Sequence, residues 1–115
     1  MATPTVFEPK RLWAGLEIPA ADTLVYTSPG GQLGTRLQGL MLVNTTAGPV
    51  TVRVTVGAMA AAQAVCWDFS VPADGLPYDL MEGQKTVVLN AGDVLRAQAA
   101  TGASVTLQGF GVEMS

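Results

Sequence analysis

The nine residues Pro49-Val50-Thr51-Val52-Arg53-Val54-Thr55-Val56-Gly57 decide the fold class. Valine recurs at every second position with Thr or Arg between, and successive side chains of a strand point to opposite faces. Val50, Val52, Val54 and Val56 are therefore expected on a buried face, with Thr51, Arg53 and Thr55 turned to solvent or a neighbour. Just before this strand, Asn44-Thr45-Thr46-Ala47-Gly48 supplies turn formers. Pro49 fits a strand's first residue, where a missing N–H costs little. Further upstream, residues 35–45 are more continuously apolar, as expected of a strand covered on both faces by the second sheet or by another subunit.

The same cues predict strands over residues 22–27, 66–71, 85–90, 94–100 and 104–113. In residues 66–71 the alternation places Trp67, Phe69 and Val71 on one face and Cys66, Asp68 and Ser70 on the other. Ser28-Pro29-Gly30-Gly31 carries the Pro and Gly that a type II turn demands. Residues 58–64 are rich in Ala but too short for a stable helix, and read as a loop with one helical turn. About eight short strands with no long amphipathic helix predict an all-β chain, an antiparallel β-sandwich or jelly roll.

A length of 115 residues suits one domain, and 49% hydrophobic against 13% charged residues argues for a folded one. Residues 1–12 are expected to form an extended N-terminal arm on a single sandwich domain over 13–115. Pro4 and Pro9 are expected to prevent regular pairing, yet Val6 and Phe7 call for burial, on a neighbouring subunit or on the chain's own domain. Phe7, Lys10, Arg11 and Trp13 are the candidate partner contacts, because an aromatic anchor beside positive charge is a residue mix that interface hot spots favour. The competing reading puts Trp13 in the core and leaves Lys10-Arg11 as a solvated pair.

Net charge is −3, and the six Lys and Arg are scattered apart from Lys10-Arg11, so no basic stripe is available to phosphates and no nucleic-acid partner is expected. No apolar run approaches the roughly 20 residues of a membrane span, nor does the N-terminus resemble a leader, so synthesis in a cytoplasm is expected. Cys66 is the single cysteine and is expected to be a small buried filler rather than a nucleophile.

The chain has no histidine, which removes Ser-His-Asp, Cys-His and His-ligated metal mechanisms together. Gly109 and Gly111 sit late in a predicted strand with no helix after them and make no phosphate cradle. A carboxylate pair drawn from Asp68, Asp74, Asp79 and Glu82 is the remaining catalytic route, and these read better as turn and loop acids. No enzyme activity, cofactor or metal is expected. Trp67 and Tyr78 with Asp68 and Asp79 are the candidate platform of a carbohydrate-binding module, with Asp74 and Asp79 as candidate calcium ligands; no ligand spacing supports the calcium reading.

Four stretches carry a family resemblance: Thr23-Leu24-Val25-Tyr26-Thr27-Ser28-Pro29-Gly30-Gly31; Leu40-Met41-Leu42-Val43-Asn44-Thr45-Thr46 with the valine strand; Leu89-Asn90-Ala91-Gly92-Asp93-Val94-Leu95; and residues 105–113 ending in Gly111-Val112-Glu113. Together they resemble the small β-sandwich virion proteins of tailed phages over residues 22–113; the Ala-rich segment 58–64 and Trp67 depart from that pattern. The resemblance implies a capsid decoration protein on the outer shell of a virion. It further implies the major capsid protein as partner and a homotrimer as the assembled form. A tail or fibre component is the second reading that it allows.

Overall fold

The computed structural model describes residues 7–13, 15–30, 33–82, 87–100, 102 and 105–114, and of residues 7–9 the backbone alone. Ten strands lie among them: β1 (Phe7–Arg11), β2 (Leu16–Glu17), β3 (Thr23–Thr27), β4 (Gly34–Asn44), β5 (Val50–Val56), β6 (Ala64–Val71), β7 (Tyr78–Asp79), β8 (Val87–Leu89), β9 (Val94–Ala99) and β10 (Val105–Met114). One 3₁₀ turn, Ala61–Gln63, is the helical turn expected in the Ala-rich segment.

The pairing explains the architecture. β1 and β2 pair with β10, β3 with β9, β4 with β7 and β8, and β5 with β6, all antiparallel. The first half of the chain thus runs back along the second as one long ribbon. Two more antiparallel pairings, β4 with β10 and β5 with β9, roll the ribbon into two sheets. The first sheet is ordered β1/β2, β10, β4, β7/β8, and the second β3, β9, β5, β6. That winding is a jelly roll. Three of the four sheet edges are short strands of two to five residues, which limits the unpaired edge; the fourth is β6, of eight residues.

Alternation sets the core. Val50, Val52 and Val54 are buried as the opening stretch predicts, and Leu95, Ala97 and Ala99 of β9 join them from the same sheet. Leu37, Leu40 and Leu42 of β4 with Val105 and Leu107 of β10 face them from the other sheet. The three-residue step from Leu37 to Leu40 breaks period two because Gln38 bulges: Gly39 stands opposite Phe110, and Leu37 opposite Gly111. Part of the continuous apolar run in β4 is therefore a change of phase rather than a strand buried on both faces. The turn after β4 is locked from within, since Asn44 Nδ2 donates to the carbonyls of Gly48 at 2.9 Å and Val71 at 3.0 Å while its Oδ1 accepts from the Thr46 N–H at 3.0 Å.

Of the two placements open to the N-terminal segment, the described part takes the one on its own domain: although Pro9 was expected to prevent regular pairing, residues 7–11 form the edge strand β1, in register with β10 from Phe7 opposite Met114 to Arg11 opposite Phe110. Pro9 is accommodated because β1 is an edge strand, in which alternate N–H groups point away from the partner. Pro4 and Val6 lie outside the described residues.

Candidate functional site

Three places on this frame gather the candidate residues. The first is the lateral edge where β1 and β2 face β3. Between β1 and β2 the chain turns inward and carries Trp13 into the sandwich, where its Nε1 donates to the Leu107 carbonyl at 3.1 Å. The indole lies over Gly109, where any β-carbon would occupy the space of the ring, and stands 5.9 Å from the ring of Tyr26 at 37°. Gly111 likewise allows the close approach of the Arg36 carbonyl. The two late glycines are therefore packing devices.

Beside Trp13 a polar chain crosses between the sheets. Glu113, only 4% exposed, forms an ion pair with Lys10 and accepts a hydrogen bond from the Tyr26 hydroxyl. Tyr26 also contacts Thr35 Oγ1 at 3.1 Å, which contacts Ser28 Oγ at 2.9 Å. Burial, with the adjacent carboxylate, pushes the Tyr26 hydroxyl up to about 12. Burial acts to raise the Glu113 carboxyl, but the hydrogen bonds from Lys10 and Tyr26 outweigh it and hold the group below its ordinary value.

Of the candidate partner contacts, the structure thus seats Trp13 in its own domain, while Lys10 stays 45% exposed with its amine paired to Glu113. Arg11 is exposed on the outer face of the first sheet, and the Phe7 side chain lies outside the described residues.

The second place is the opposite edge, where β6 faces β7. Here a cleft of ≈780 Å³ is lined by Val65, Cys66, Phe69, Tyr78, Asp79 and Leu80, with Glu82 at its rim. Asp79 Oδ1 accepts the N–H groups of Leu40 at 3.1 Å and Met81 at 2.9 Å, so it closes the backbone where β7 ends. Asp74 accepts from the Leu76 N–H at 3.0 Å and from the Tyr78 hydroxyl, whose hydrogen bond draws the carboxyl below its ordinary value and raises the phenol. Burial lifts the Cys66 thiol to about 11, consistent with an inert filler.

The third place is the outer face of the second sheet. Trp67 and Asp68 form a two-residue bulge opposite Arg53, between the pairs Val52–Phe69 and Val54–Cys66, with Asp68 at φ 54°. The bulge overturns the expected alternation, because Cys66 now shares the inward side with Phe69 and Trp67 turns outward. There the Arg53 guanidinium lies 4.0 Å from the centre of the indole, and its Nε donates to Asp68 at 2.6 Å. The predicted platform is accordingly divided: Trp67 is on this face under Arg53, while Tyr78 and Asp79 line the cleft, to which Trp67 does not contribute. Of the four candidate carboxylates, Asp68 pairs with Arg53, Asp74 accepts from Tyr78, and Asp79 and Glu82 line the same cleft; among the described residues no three of Cys, Asp and Glu converge as metal ligands do.

Glu113, Tyr26 and Arg53 carry most of this geometry, and sequence reasoning passed over them. Their signal was available in part, since Glu113 falls on the inward phase of β10 with Leu107, Gly109 and Gly111. No protein-family model, curated protein or solved structure matches the chain.

Proposed function

We propose that this chain is a non-enzymatic virion structural protein, a decoration protein that binds the outer shell of a tailed-phage capsid and braces the major capsid protein. The observation that carries the reading is the strand order: a jelly roll of eight strand positions in two sheets, the architecture that viral capsid domains use. The buried polar groups serve the same end. Glu113, Tyr26 and Asn44 tie strand to strand or turn to strand, which suits a compact domain made in many copies and exposed to proteases.

Lectin and cupin domains share the architecture, so the chain's own residues must separate the readings. A sugar-stacking platform needs an open aromatic face, and Arg53 covers Trp67. A histidine-ligated centre needs a residue type that the chain lacks.

The test is on particles. Tailed virions from cells carrying this gene, banded by density and separated into heads and tails, are expected to contain the chain with the heads. Purified chain added to heads lacking it is expected to co-sediment and to raise their resistance to heat. A chain found only free in the lysate would overturn the proposal, and one found with tails would make it a tail or fibre component.

A further inference from the structure

The sheet edges are not equally closed. β6 ends the second sheet with eight residues, and among the described residues no strand lies beyond it. The direction of its main chain follows from the far side of β5. There Ala100 donates to the Thr51 carbonyl and Gly57 to the Val94 carbonyl. The main-chain groups of Val50, Val52 and Val54 therefore turn to β6, where Val71, Phe69 and Cys66 are their partners in register. Ser70, between Phe69 and Val71, turns its N–H and C=O away from β5, and among the described residues no element pairs with it there. The Trp67–Asp68 bulge bends the strand before Ser70, and Pro72 has no N–H after it, so the open edge is one short run.

The cleft opens along this same edge. Val65, Cys66, Phe69, Tyr78 and Leu80 make it largely apolar, and Ser70 is among its lining residues. The charged residues among those lining it are Asp79 and Glu82, both carboxylates, and among the described residues neither has an ion-pair partner. An unpaired main-chain donor and acceptor, an apolar space below them and negative charge thus meet at one place. A small apolar molecule would fill the space and leave Ser70 unpaired. A second copy of this chain, joined β6 to β6 about a twofold axis, would set cleft against cleft and carboxylate against carboxylate. An added strand with a basic residue answers all three features.

We infer that the edge of β6 takes up a short extended segment of another protein, as an antiparallel fifth strand of the second sheet. The main chain of the segment bonds Ser70, its alternate apolar side chains enter the cleft, and a Lys or Arg lies beside Asp79 and Glu82. The brevity of the open run makes the contact reversible. The inference does not rest on the capsid reading, because the site is complete in the free chain.

Nuclear magnetic resonance on the full chain tests it at the Ser70 amide. In the free protein this amide is expected to exchange with solvent about tenfold or more faster than those of Phe69 and Val71, which face β5. The probe is the capped peptide Lys-Val-Thr-Val-Thr-Val-Lys, expected to shift the Ser70 amide and to slow its exchange about tenfold at saturation. In antiparallel pairing the Thr residues of the peptide lie opposite Ser70's outward phase and turn their N–H groups to β6. N-methylation of the Thr residues is therefore expected to abolish binding, and N-methylation of the Val residues to spare it. Glu in place of both Lys is expected to weaken binding about tenfold, and Glu82→Lys to reverse that preference. Ser70→Pro, which an edge strand tolerates, is expected to abolish binding with the thermal melt unchanged; the N-methylated peptides make the same test without altering the protein. No shift at Ser70 with the Lys peptide at millimolar concentration, equal loss with both N-methylated peptides, or indifference to charge reversal would each overturn the inference. Protection of Ser70 that grows with protein concentration alone would give the edge to a second copy and overturn it too. A chain that joins heads yet ignores the peptide would overturn this site and leave the capsid proposal standing.

Discussion

At one lateral edge of the sandwich, Trp13 and Tyr26 fill the gap between β2, β10 and β3, and Glu113 joins the sheets through Lys10 and Tyr26. At the opposite edge, between β6 and β7, the gap is a cleft of ≈780 Å³ walled by half-buried Phe69, Tyr78 and Leu80. Both edges pose the same problem, since two twisted sheets packed face to face diverge at their margins. The first is solved by a large ring set over a glycine and the second is left open. The difference shows where stability and where access reside.

The largest test of that division is Trp13→Ala. The ring is packed against the core and hydrogen-bonded to Leu107, so its removal leaves a cavity with little able to collapse into it. The expected loss is about 3–5 kcal/mol in chemical denaturation. A loss below about 1 kcal/mol would mean that the Trp13 edge is as loosely filled as the cleft.

Next is the polar half of the same seal. The Glu113 carboxyl is held below its ordinary 4.5 in the folded chain, so the unfolded chain binds the proton more readily as pH falls. The stability contributed by the ionised group is then fully present above about pH 4.5, and is lost as pH drops through the folded value. Glu113→Gln is expected to cost about 1.5–3 kcal/mol at pH 7. It is also expected to flatten the decline of the melting temperature between pH 6 and pH 3. A variant whose acid profile overlays that of the parent would remove Glu113 from the seal.

These tests also mark what the residues disclosed in advance. Period two in residues 50–56, the turn at Asn44 and the apolar phase of β10 each act locally, and each gave its strand. The jelly-roll winding was legible only as one of two options, because strand order depends on which distant edges meet. Trp67 shows why the site was harder. Its outward direction follows from a bulge opposite Arg53, and an inserted residue inverts everything that alternation predicts on one side of it. Trp13 read equally well as interface or core, and Lys10 as partner contact or solvated, since hydrophobicity and charge do not say which side of β10 a chain will enter. Gly109 held the missing information: a glycine in a strand interior marks close approach, and what approaches is Trp13.

The smallest expected effect belongs to the open edge. Cys66 lines the cleft and its thiol is raised to about 11 against an ordinary 9.0, by burial. Two units lower the thiolate fraction at pH 8 about a hundredfold, but the more basic thiolate is intrinsically more reactive, which recovers about tenfold. A small uncharged disulfide reagent is therefore expected to modify native Cys66 about tenfold more slowly than the unfolded chain. If the cleft is open in solution, the rate does not fall when the folded state is stabilised, because modification proceeds through the native protein. A closed edge reacts only through unfolding, so its rate is suppressed by the whole folding equilibrium constant, of order 10³ or more. The gap between tenfold and a thousandfold separates an open edge from a closed one by one rate measurement.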